Sequence, residues 1–292
     1  MAAALLDGGE RALAALEQQA GDLRRVAAYA RGVLEFRPRA DDIFVVTYPR
    51  SGTTWVQYML HLLTRSGQEA PFEHISQVCP WFERSLAVGA MRAADLEALP
   101  SPRVFKSHLP HVWLPSGVRV VYVQRDGLDV ALSYYHFYRS HLGFSQGLEP
   151  FFGRFMRGDL QYRAWFDHVA GWRRLRSDPL VCLLRYEALL SDPGQGLERL
   201  AGFLGLPLDP PLRALILERV AFQAMKAQEH RFDFATEYLL QRGTSQGAFL
   251  RQGKAGQGEV EIPRALREAF RQREESARAS RLPEWRLAAF LR

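Results

Sequence analysis

The stretch TYPRSGTTW, residues 47–55, decides the fold. It follows the apolar run IFVV at residues 43–46, which is typical of a buried strand. It precedes residues 55–63, where apolar residues recur at helical spacing. A strand, a short polar loop and a helix N-terminus bring together backbone N–H groups that have no intrahelical acceptor, and the hydroxyl groups in the loop add further donors. We therefore predict that this loop binds a phosphate group.

The loop differs from the common nucleotide-binding pattern, which has two glycines separated by four residues and then Lys followed by Ser or Thr. Here there is one glycine, Gly52, and the cation, Arg50, precedes it. Taken alone, the loop also fits an ordinary strand-to-helix turn capped by Ser and Thr. In its residues it resembles the phosphosulfate loop of the cytosolic sulfotransferases, which bind 3′-phosphoadenosine 5′-phosphosulfate (PAPS).

Four further segments resemble that family and follow its order. KSHLP at 106–110 is similar to the catalytic-histidine segment, and residues 125–138 are similar to the 3′-phosphate segment. FQAM at 222–225 resembles an adenine-side segment, and FLRQGKAG at 249–256 resembles the glycine-rich phosphate clamp. The resemblance runs from about residue 41 to about residue 256. It implies an enzyme that moves a sulfuryl group from PAPS to an acceptor hydroxyl.

The resemblance implies roles for three residues at the reacting centre. His108 would be the general base for the acceptor hydroxyl, because imidazole titrates near neutral pH. Lys106 and Arg50 would neutralise charge on the sulfuryl and bridging oxygens. Arg50 stands where the commonest animal members have Lys, and a guanidinium stabilises charge but does not donate a proton.

The resemblance also implies the residues that hold the donor. Arg125 and Ser133 would bind the 3′-phosphate, and Trp55 and Phe222 would sandwich the adenine with Tyr186 at its edge. The predicted donor-binding residues are Arg50, Ser51, Gly52, Thr53, Thr54, Trp55, Arg125, Ser133, Tyr186, Phe222, Phe249, Leu250, Arg251 and Gly253. No metal is expected to be required.

Departures from the family pattern keep two other functions open. Gln252 replaces a usual Lys, and Gln257 and Gly258 replace Asp-Trp. A catalytically silent protein that binds PAPS or adenosine 3′,5′-bisphosphate would tolerate these changes, although the presence of both Lys106 and His108 argues against it. A P-loop nucleotide kinase would need a Lys after the glycine and a Mg²⁺-binding carboxylate, and neither is evident.

The order of elements predicts an α/β fold. Apolar runs predict four strands separated by helical stretches, at residues 43–48, 104–106, 118–124 and 180–186. This alternation indicates a central parallel sheet flanked by helices on both faces, a P-loop-kinase-like three-layer sandwich. Ligands bind such sheets at the carboxyl ends of the strands, where the motif residues lie. We predict one sulfotransferase domain over residues 1–292, with an N-terminal helical segment at 1–40 and a C-terminal helical tail at 257–292.

Composition narrows the partners. The 292 residues carry a net charge of +6, which suits an anionic ligand, but the basic residues are dispersed and predict no nucleic-acid surface. No apolar run is long enough to span a bilayer, and only two cysteines occur, which favours a reducing compartment. We therefore expect a cytoplasmic protein. The family's dimerisation motif is missing, so the oligomeric state does not carry over.

The acceptor is expected to be a small, mainly apolar molecule with a phenolic or alcoholic hydroxyl. A polysaccharide is less favoured because a long basic tract is missing. Apolar acceptor walls are expected in stretches that contain Phe137, Phe144, Phe151 and Tyr162, with Trp81 and Phe82 in a capping loop.

Overall fold

Four short strands run parallel through the centre of the chain: β1 (Ile43–Thr47), β2 (Val104–Ser107), β3 (Arg119–Gln124) and β4 (Val181–Arg185). The computed structural model describes residues 24–68, 71–88, 91–232 and 249–279. The strand order is β2-β1-β3-β4, and each neighbouring pair is parallel. All five side chains of β1 are buried, as expected for a central strand covered on both faces.

Side chains of β1 alternate between two hydrophobic clusters. Phe44 and Val46 pack in one cluster, and Ile43 and Val45 pack in the other. The other strands and the surrounding helices supply most of the rest of both clusters, so the sheet lies between two helical layers. The predicted α/β fold with a parallel sheet is therefore confirmed.

The helices occupy most of the remaining described chain. Residues 24–35 form α1, and the others are α2 (Thr53–Thr64), α3 (Phe82–Val88), α4 (Ala93–Glu97), α5 (Gly127–His141), α6 (Leu148–Arg157), α7 (Trp165–Arg173), α8 (Tyr186–Ser191), α9 (Pro193–Leu204), α10 (Pro210–Arg219), α11 (Phe222–Ala227), α12 (Gln257–Glu261) and α13 (Arg264–Ala279). In the described residues, no helix is both long enough and apolar enough to cross a membrane.

The predicted boundaries differ slightly from the observed ones. Helix α2 begins at Thr53, two residues before the predicted start, because Gly52 adopts a left-handed conformation and marks the cap. Helices α12 and α13 account for the predicted C-terminal helical tail as far as residue 279. Residues 1–23 and 280–292, which belong to the predicted terminal helical segments, lie outside the described residues. The assignment of the whole chain to a single domain stays a prediction.

The sheet brings the motif loops together at one edge. In the sheet, Val46 of β1 lies opposite Ser107 of β2, and Thr47 of β1 lies opposite Val123 of β3. The chain therefore leaves these three strands at neighbouring points, just before the loop at 48–52, His108 and Arg125. This adjacency positions the candidate site.

Candidate active site

The loop after β1 is shaped by two residues with left-handed backbone. Arg50 has φ 68° and Gly52 has φ 92°. A Cβ atom at Gly52 would lie 2.7 Å from the ring of Tyr186, so the close approach requires glycine. The hydroxyl of Ser51 is buried and has no hydrogen-bond partner among the residues that the structure describes. The loop therefore offers a buried polar group at the start of α2, where an anion is stabilised.

His108 is held in one tautomer by the end of β1. Its Nδ1 lies 2.9 Å from the carbonyl oxygen of Thr47, which places the ring proton on Nδ1 and leaves the lone pair on Nε2. Burial lowers the pKa of His108 well below the usual value, and the nearby Lys106 lowers it further. The imidazole is therefore neutral at physiological pH, with Nε2 able to accept a proton.

Lys106 of β2 lies two residues before that histidine and is almost fully buried. Its ammonium is 4.0 Å from the centre of the Trp81 ring. Burial lowers the pKa of Lys106 to about 7, with Glu83 opposing the shift and Arg84 and Arg50 adding to it. An anion beside this lysine would favour the charged form.

Glu83, which carries no sequence motif, connects the residues around this centre. Its Oε1 accepts hydrogen bonds from Trp81 Nε1 at 2.6 Å, from the backbone N–H of His108 at 2.9 Å and from the Tyr162 hydroxyl at 3.3 Å. Burial raises the pKa of the Glu83 carboxyl, and the bonds from Trp81 and His108 oppose that rise. The carboxyl group thus fixes the positions of three neighbours at once.

The predicted capping loop at Trp81 and Phe82 is different in the structure. Phe82 begins α3 and is fully buried in the core, whereas Trp81 lines the cavity and forms an isolated parallel bridge with Lys106. Phe82 and Leu86 are four residues apart and share one face of the helix, so this segment packs as a helix against the core and is not a loop.

Arg125 contacts the loop that contains Arg50, and Arg50 contacts Ser133 of α5, the helix that follows Arg125. Arg125 precedes α5 and donates from Nη1 to the carbonyl of Arg50 at 3.1 Å and from Nη2 to the carbonyl of Lys254 at 3.0 Å. Its Nε is buried and has no partner in the described part of the chain. Arg50 donates to the carbonyl of Phe249 at 2.9 Å, and its Nε lies 3.4 Å from the hydroxyl of Ser133. Arg50 therefore contacts both of the residues predicted to bind the 3′-phosphate, Arg125 and Ser133.

The glycine-rich segment is anchored to α5 by Asp129, another residue without a sequence signal. The Asp129 carboxylate accepts the backbone N–H groups of Gly256 and Gly258, each at 2.8 Å. Gly253 has φ 61°, and a Cβ there would lie 2.5 Å from the ring of Phe222. These contacts place the clamp directly against the predicted adenine-side aromatic residue.

One cavity of about 600 Å³ unites the site. Every predicted catalytic and donor-binding residue lines it except Ser51, which is buried. Trp55 stands edge-on to Tyr186 with ring centres 5.9 Å apart, and its indole N–H bonds the carbonyl of Val220 at 3.0 Å. The side chains expected to hold adenine and phosphates thus share a single space.

The acceptor walls are only partly as expected. Phe137 and Tyr162 line the cavity, together with Tyr134 and Leu142, whereas Phe144 and Phe151 pack outside it among aromatic neighbours. Tyr162 has φ 70°, a conformation that non-glycine residues rarely adopt. Its hydroxyl bond to Glu83 helps to hold that conformation.

The residues present fit a nucleotide that carries several anionic groups. Arg125 lines the cavity, and its buried Nε is a polar atom that a phosphate oxygen would satisfy. Among the described residues, no group of three or more His, Cys, Asp or Glu is arranged to hold a metal ion. The basic residues that line the cavity are Arg50, Arg84, Lys106, Arg125, Arg213, Arg251 and Lys254.

The chain is similar to known proteins over most of its length. The family model described as "Sulfotransferase domain" matches residues 40–279. The chain is 36% identical over 258 residues to Cytosolic sulfotransferase 1 of Danio rerio, covering 82% of this chain and 83% of that protein. It is 34% identical over 257 residues to Sulfotransferase 1A1 of Bos taurus, covering 83% of this chain and 85% of that protein.

A solved structure has the same fold. The crystal structure of retinol dehydratase in complex with androsterone and inactive cofactor PAP superposes with a TM-score of 0.74, at 23% sequence identity. The match covers 89% of this chain and 88% of that chain. The sheet order and the helical layers described above therefore recur in a solved protein.

Proposed function

This chain belongs to the sulfotransferase family, and we propose that it transfers a sulfuryl group from PAPS to the hydroxyl of a small, mainly apolar acceptor, with His108 as the general base. Membership of the family makes it a PAPS-dependent sulfotransferase. The observation that carries the rest of the proposal is the bond between His108 Nδ1 and the Thr47 carbonyl. It leaves Nε2 as the basic nitrogen in a ring that lines the cavity.

The proton path follows from that tautomer. The acceptor hydroxyl must lose its proton as its oxygen attacks, and neutral His108 can take it at Nε2 because Nδ1 is already engaged. The carbonyl of Thr47 then stabilises the imidazolium through the Nδ1–H bond. Because burial holds the pKa of His108 low, the ring is ready to accept a proton over the whole neutral range.

The donor side is assigned to the loop and the clamp. When bound, PAPS supplies the sulfuryl group, and adenosine 3′,5′-bisphosphate is the leaving group. Arg125 and Ser133 would hold the 3′-phosphate, while the 48–52 loop and the start of α2 would hold the 5′ side. Lys106 and Arg50 would stabilise the negative charge that develops between sulfur and phosphate.

The acceptor class is proposed from the cavity wall beside His108. The aromatic surface there comes from Trp81, Tyr134, Phe137 and Tyr162. Aromatic walls bind the apolar body of an acceptor, while the base accepts the proton of its hydroxyl. The ring centres of Trp81 and Tyr162 each lie 5.1 Å from that of His108, so the apolar surface reaches the reacting atom.

We place the protein in the cytoplasm. Both cysteines, Cys79 and Cys182, are free and buried thiols, which suits a reducing compartment. The partner is a small molecule and not a nucleic acid.

Labelled PAPS and a panel of phenols, steroid-like alcohols and lipid alcohols test the proposal. Transfer to some member of the panel is expected. Transfer only to oligosaccharides or to tyrosine in peptides would contradict the acceptor class. A complete lack of transfer, with PAPS still bound, would favour the catalytically silent binder.

A thermal-shift comparison separates the donor assignment from a nucleotide kinase. A ligand that binds only the folded protein raises its melting temperature. Adenosine 3′,5′-bisphosphate without Mg²⁺ should raise it far more than ATP with Mg²⁺, because Arg125 and Ser133 need a 3′-phosphate. Equal shifts would contradict PAPS as the donor.

A further inference from the structure

A second cavity, of about 420 Å³, lies between α7 and α13. None of its lining residues lines the PAPS cavity. Its floor is apolar and includes Trp165, Phe166 and Val169, all of which are buried. It is therefore a separate concave site and not an extension of the active site.

The floor is held rigid by a third aromatic ring. Phe270 of α13 lies with its ring centre 5.5 Å from that of Trp165 and 4.9 Å from that of Phe166. Aromatic rings in contact at these distances resist displacement. A flat apolar ligand would meet a preformed surface, which lowers the entropic cost of binding.

The rim of the cavity is strongly basic. Four arginines line it, Arg173, Arg174, Arg176 and Arg278, and Glu274 is the one acidic residue among the described residues that do so. Glu274 is already paired with Arg278, with 3.0 Å between the two groups. With four arginines and one glutamate, the lining carries a net positive charge beside an apolar floor, which favours anions.

Arg173 is the member of this set that is closest to the core. Its Nε donates to the side-chain oxygen of Gln124 at 2.9 Å, at the end of β3. Burial lowers the pKa of Arg173, and the neighbouring Arg278 and Arg185 lower it further, whereas Glu274 opposes them. An anion in the cavity would relieve this repulsion between arginines.

We infer that this cavity binds a small organic anion with an aromatic or alicyclic body and one sulfate or carboxylate group. Arginine forks bind such groups bidentately, and the apolar floor takes the body. Two sources share this chemistry: the sulfate ester that the proposed reaction would produce, and free aryl carboxylates. The sulfate ester is a candidate ligand only through the proposed function, whereas the binding of an organic anion does not rest on that function.

Titration calorimetry tests the site on the full chain saturated with adenosine 3′,5′-bisphosphate. The probes are 1-naphthyl sulfate, 1-naphthoate and neutral 1-naphthol. Naphthol, as a phenol, is also expected to bind in the acceptor cavity, so the comparison concerns the binding component that is lost in the cavity variants. For that component we expect both anions to bind at least tenfold more tightly than the naphthol. A tenfold preference for the ester would identify the product as the occupant, and equal affinities would identify organic anions in general.

Variants assign the binding to this cavity. The double variant Arg176→Glu/Arg278→Glu should weaken one anion-binding component at least tenfold, and Ala170→Trp should do the same by filling the recess. The matched control is Arg157→Glu/Arg264→Glu, which makes the same charge change at exposed positions outside the cavity. It should leave binding unchanged.

Two outcomes would overturn the inference. One is anion binding that survives the cavity variants at wild-type affinity, and the other is equal weakening by the control pair. If Ala170→Trp fails to fold, the arginine pair decides alone, because both residues are exposed. No turnover is measured, so a negative result leaves the proposed function untouched.

Discussion

The carboxylate of Asp129 holds Gly258: its Oδ1 accepts the backbone N–H of that glycine at 2.8 Å, in buried surroundings and across 129 residues of sequence. Its Oδ2 accepts the N–H of Gly256 at the same distance and lies 3.6 Å from the guanidinium of Arg125. One side chain therefore sets the position of the clamp relative to the arginine that would bind the 3′-phosphate.

Asp129→Asn should weaken binding of adenosine 3′,5′-bisphosphate by about tenfold or more, on the scale of one lost hydrogen bond to a charged group. An amide has one acceptor oxygen, so one glycine N–H would face an NH₂ group instead. Calorimetry measures the affinity. Asp159→Asn, the same change at an exposed residue paired with Arg157, is the control. Full affinity in Asp129→Asn would show that the clamp is positioned by other contacts.

His108→Ala should lower the rate of transfer by about a hundredfold to ten-thousandfold, the usual contribution of a general base. Affinity for adenosine 3′,5′-bisphosphate should stay within a few-fold, because the imidazole is proposed to touch the acceptor. His111→Ala, three positions along and outside the cavity, should leave both unchanged. Near-wild-type turnover in His108→Ala would mean that the base is elsewhere or that the acceptor ionises unaided.

Affinity for the donor nucleotide should fall as pH rises above about 7, where Lys106 loses its proton in the free protein. The bound anion favours the charged lysine and raises its pKa, so binding takes up a proton. Between the free and bound pKa values the affinity drops by up to about tenfold per pH unit. Lys106→Arg keeps its charge and should flatten this profile between pH 7 and 9. A wild-type profile that is already flat would contradict the proposal.

The same lysine makes the stability of the folded protein rise with pH, whereas it makes the donor affinity fall with pH. Its folded-state pKa, about 7, lies below the ordinary value of 10.5, so the unfolded chain binds more protons between those values. The contribution of Lys106 to the free energy of unfolding therefore rises with pH across that window. Denaturant unfolding at pH 7 and pH 9 measures this effect. The difference in free energy of unfolding between the wild type and Lys106→Met should be smaller at pH 9 than at pH 7.

Gly253→Ala should weaken donor binding more than it weakens the fold. Its φ of 61° strains any side chain, by about 1–2 kcal/mol, and its Cβ would displace the ring of Phe222. Gly143→Ala is the matched control, since φ there is 68° but no atom lies within 4 Å of the new Cβ. Both variants should lose similar stability in denaturant unfolding, and only Gly253→Ala should lose nucleotide affinity. If Gly253→Ala and Gly143→Ala bind the nucleotide with equal affinity, Phe222 is not part of the adenine site.

Local patterns account for most of the fold. The four strands coincide with apolar runs because the sheet is covered on both faces, and the 48–52 loop is bounded by such an apolar run and by a stretch with helical period. The site residues that belong to motifs also line one cavity, because parallel strands end at one edge.

Residues that act through distant contacts could not be found this way. Glu83 is an ordinary glutamate in a helical stretch until the fold brings it to the backbone of His108, 25 residues away. Asp129 likewise has no partner nearby in sequence that indicates its bonds to Gly256 and Gly258. Phe144 and Phe151 are aromatic like acceptor-wall residues, but Phe151 of α6 is buried in the core, and Phe144, in the loop before that helix, is partly buried and packs against the same cluster. Their roles depend on tertiary packing, which periodicity does not encode.

The bond from Arg50 to the carbonyl of Phe249 joins residues 199 positions apart, and it has a consequence for synthesis on the ribosome. A nascent chain has all four strands once residue 185 has emerged, yet it lacks the segment that closes the nucleotide cavity until Gly258 follows. Chains normally begin to fold from the N-terminus during translation. Only chains that include this segment would therefore have the complete nucleotide cavity. Prematurely terminated chains would lack it and would not be stabilised by binding PAPS in the cell.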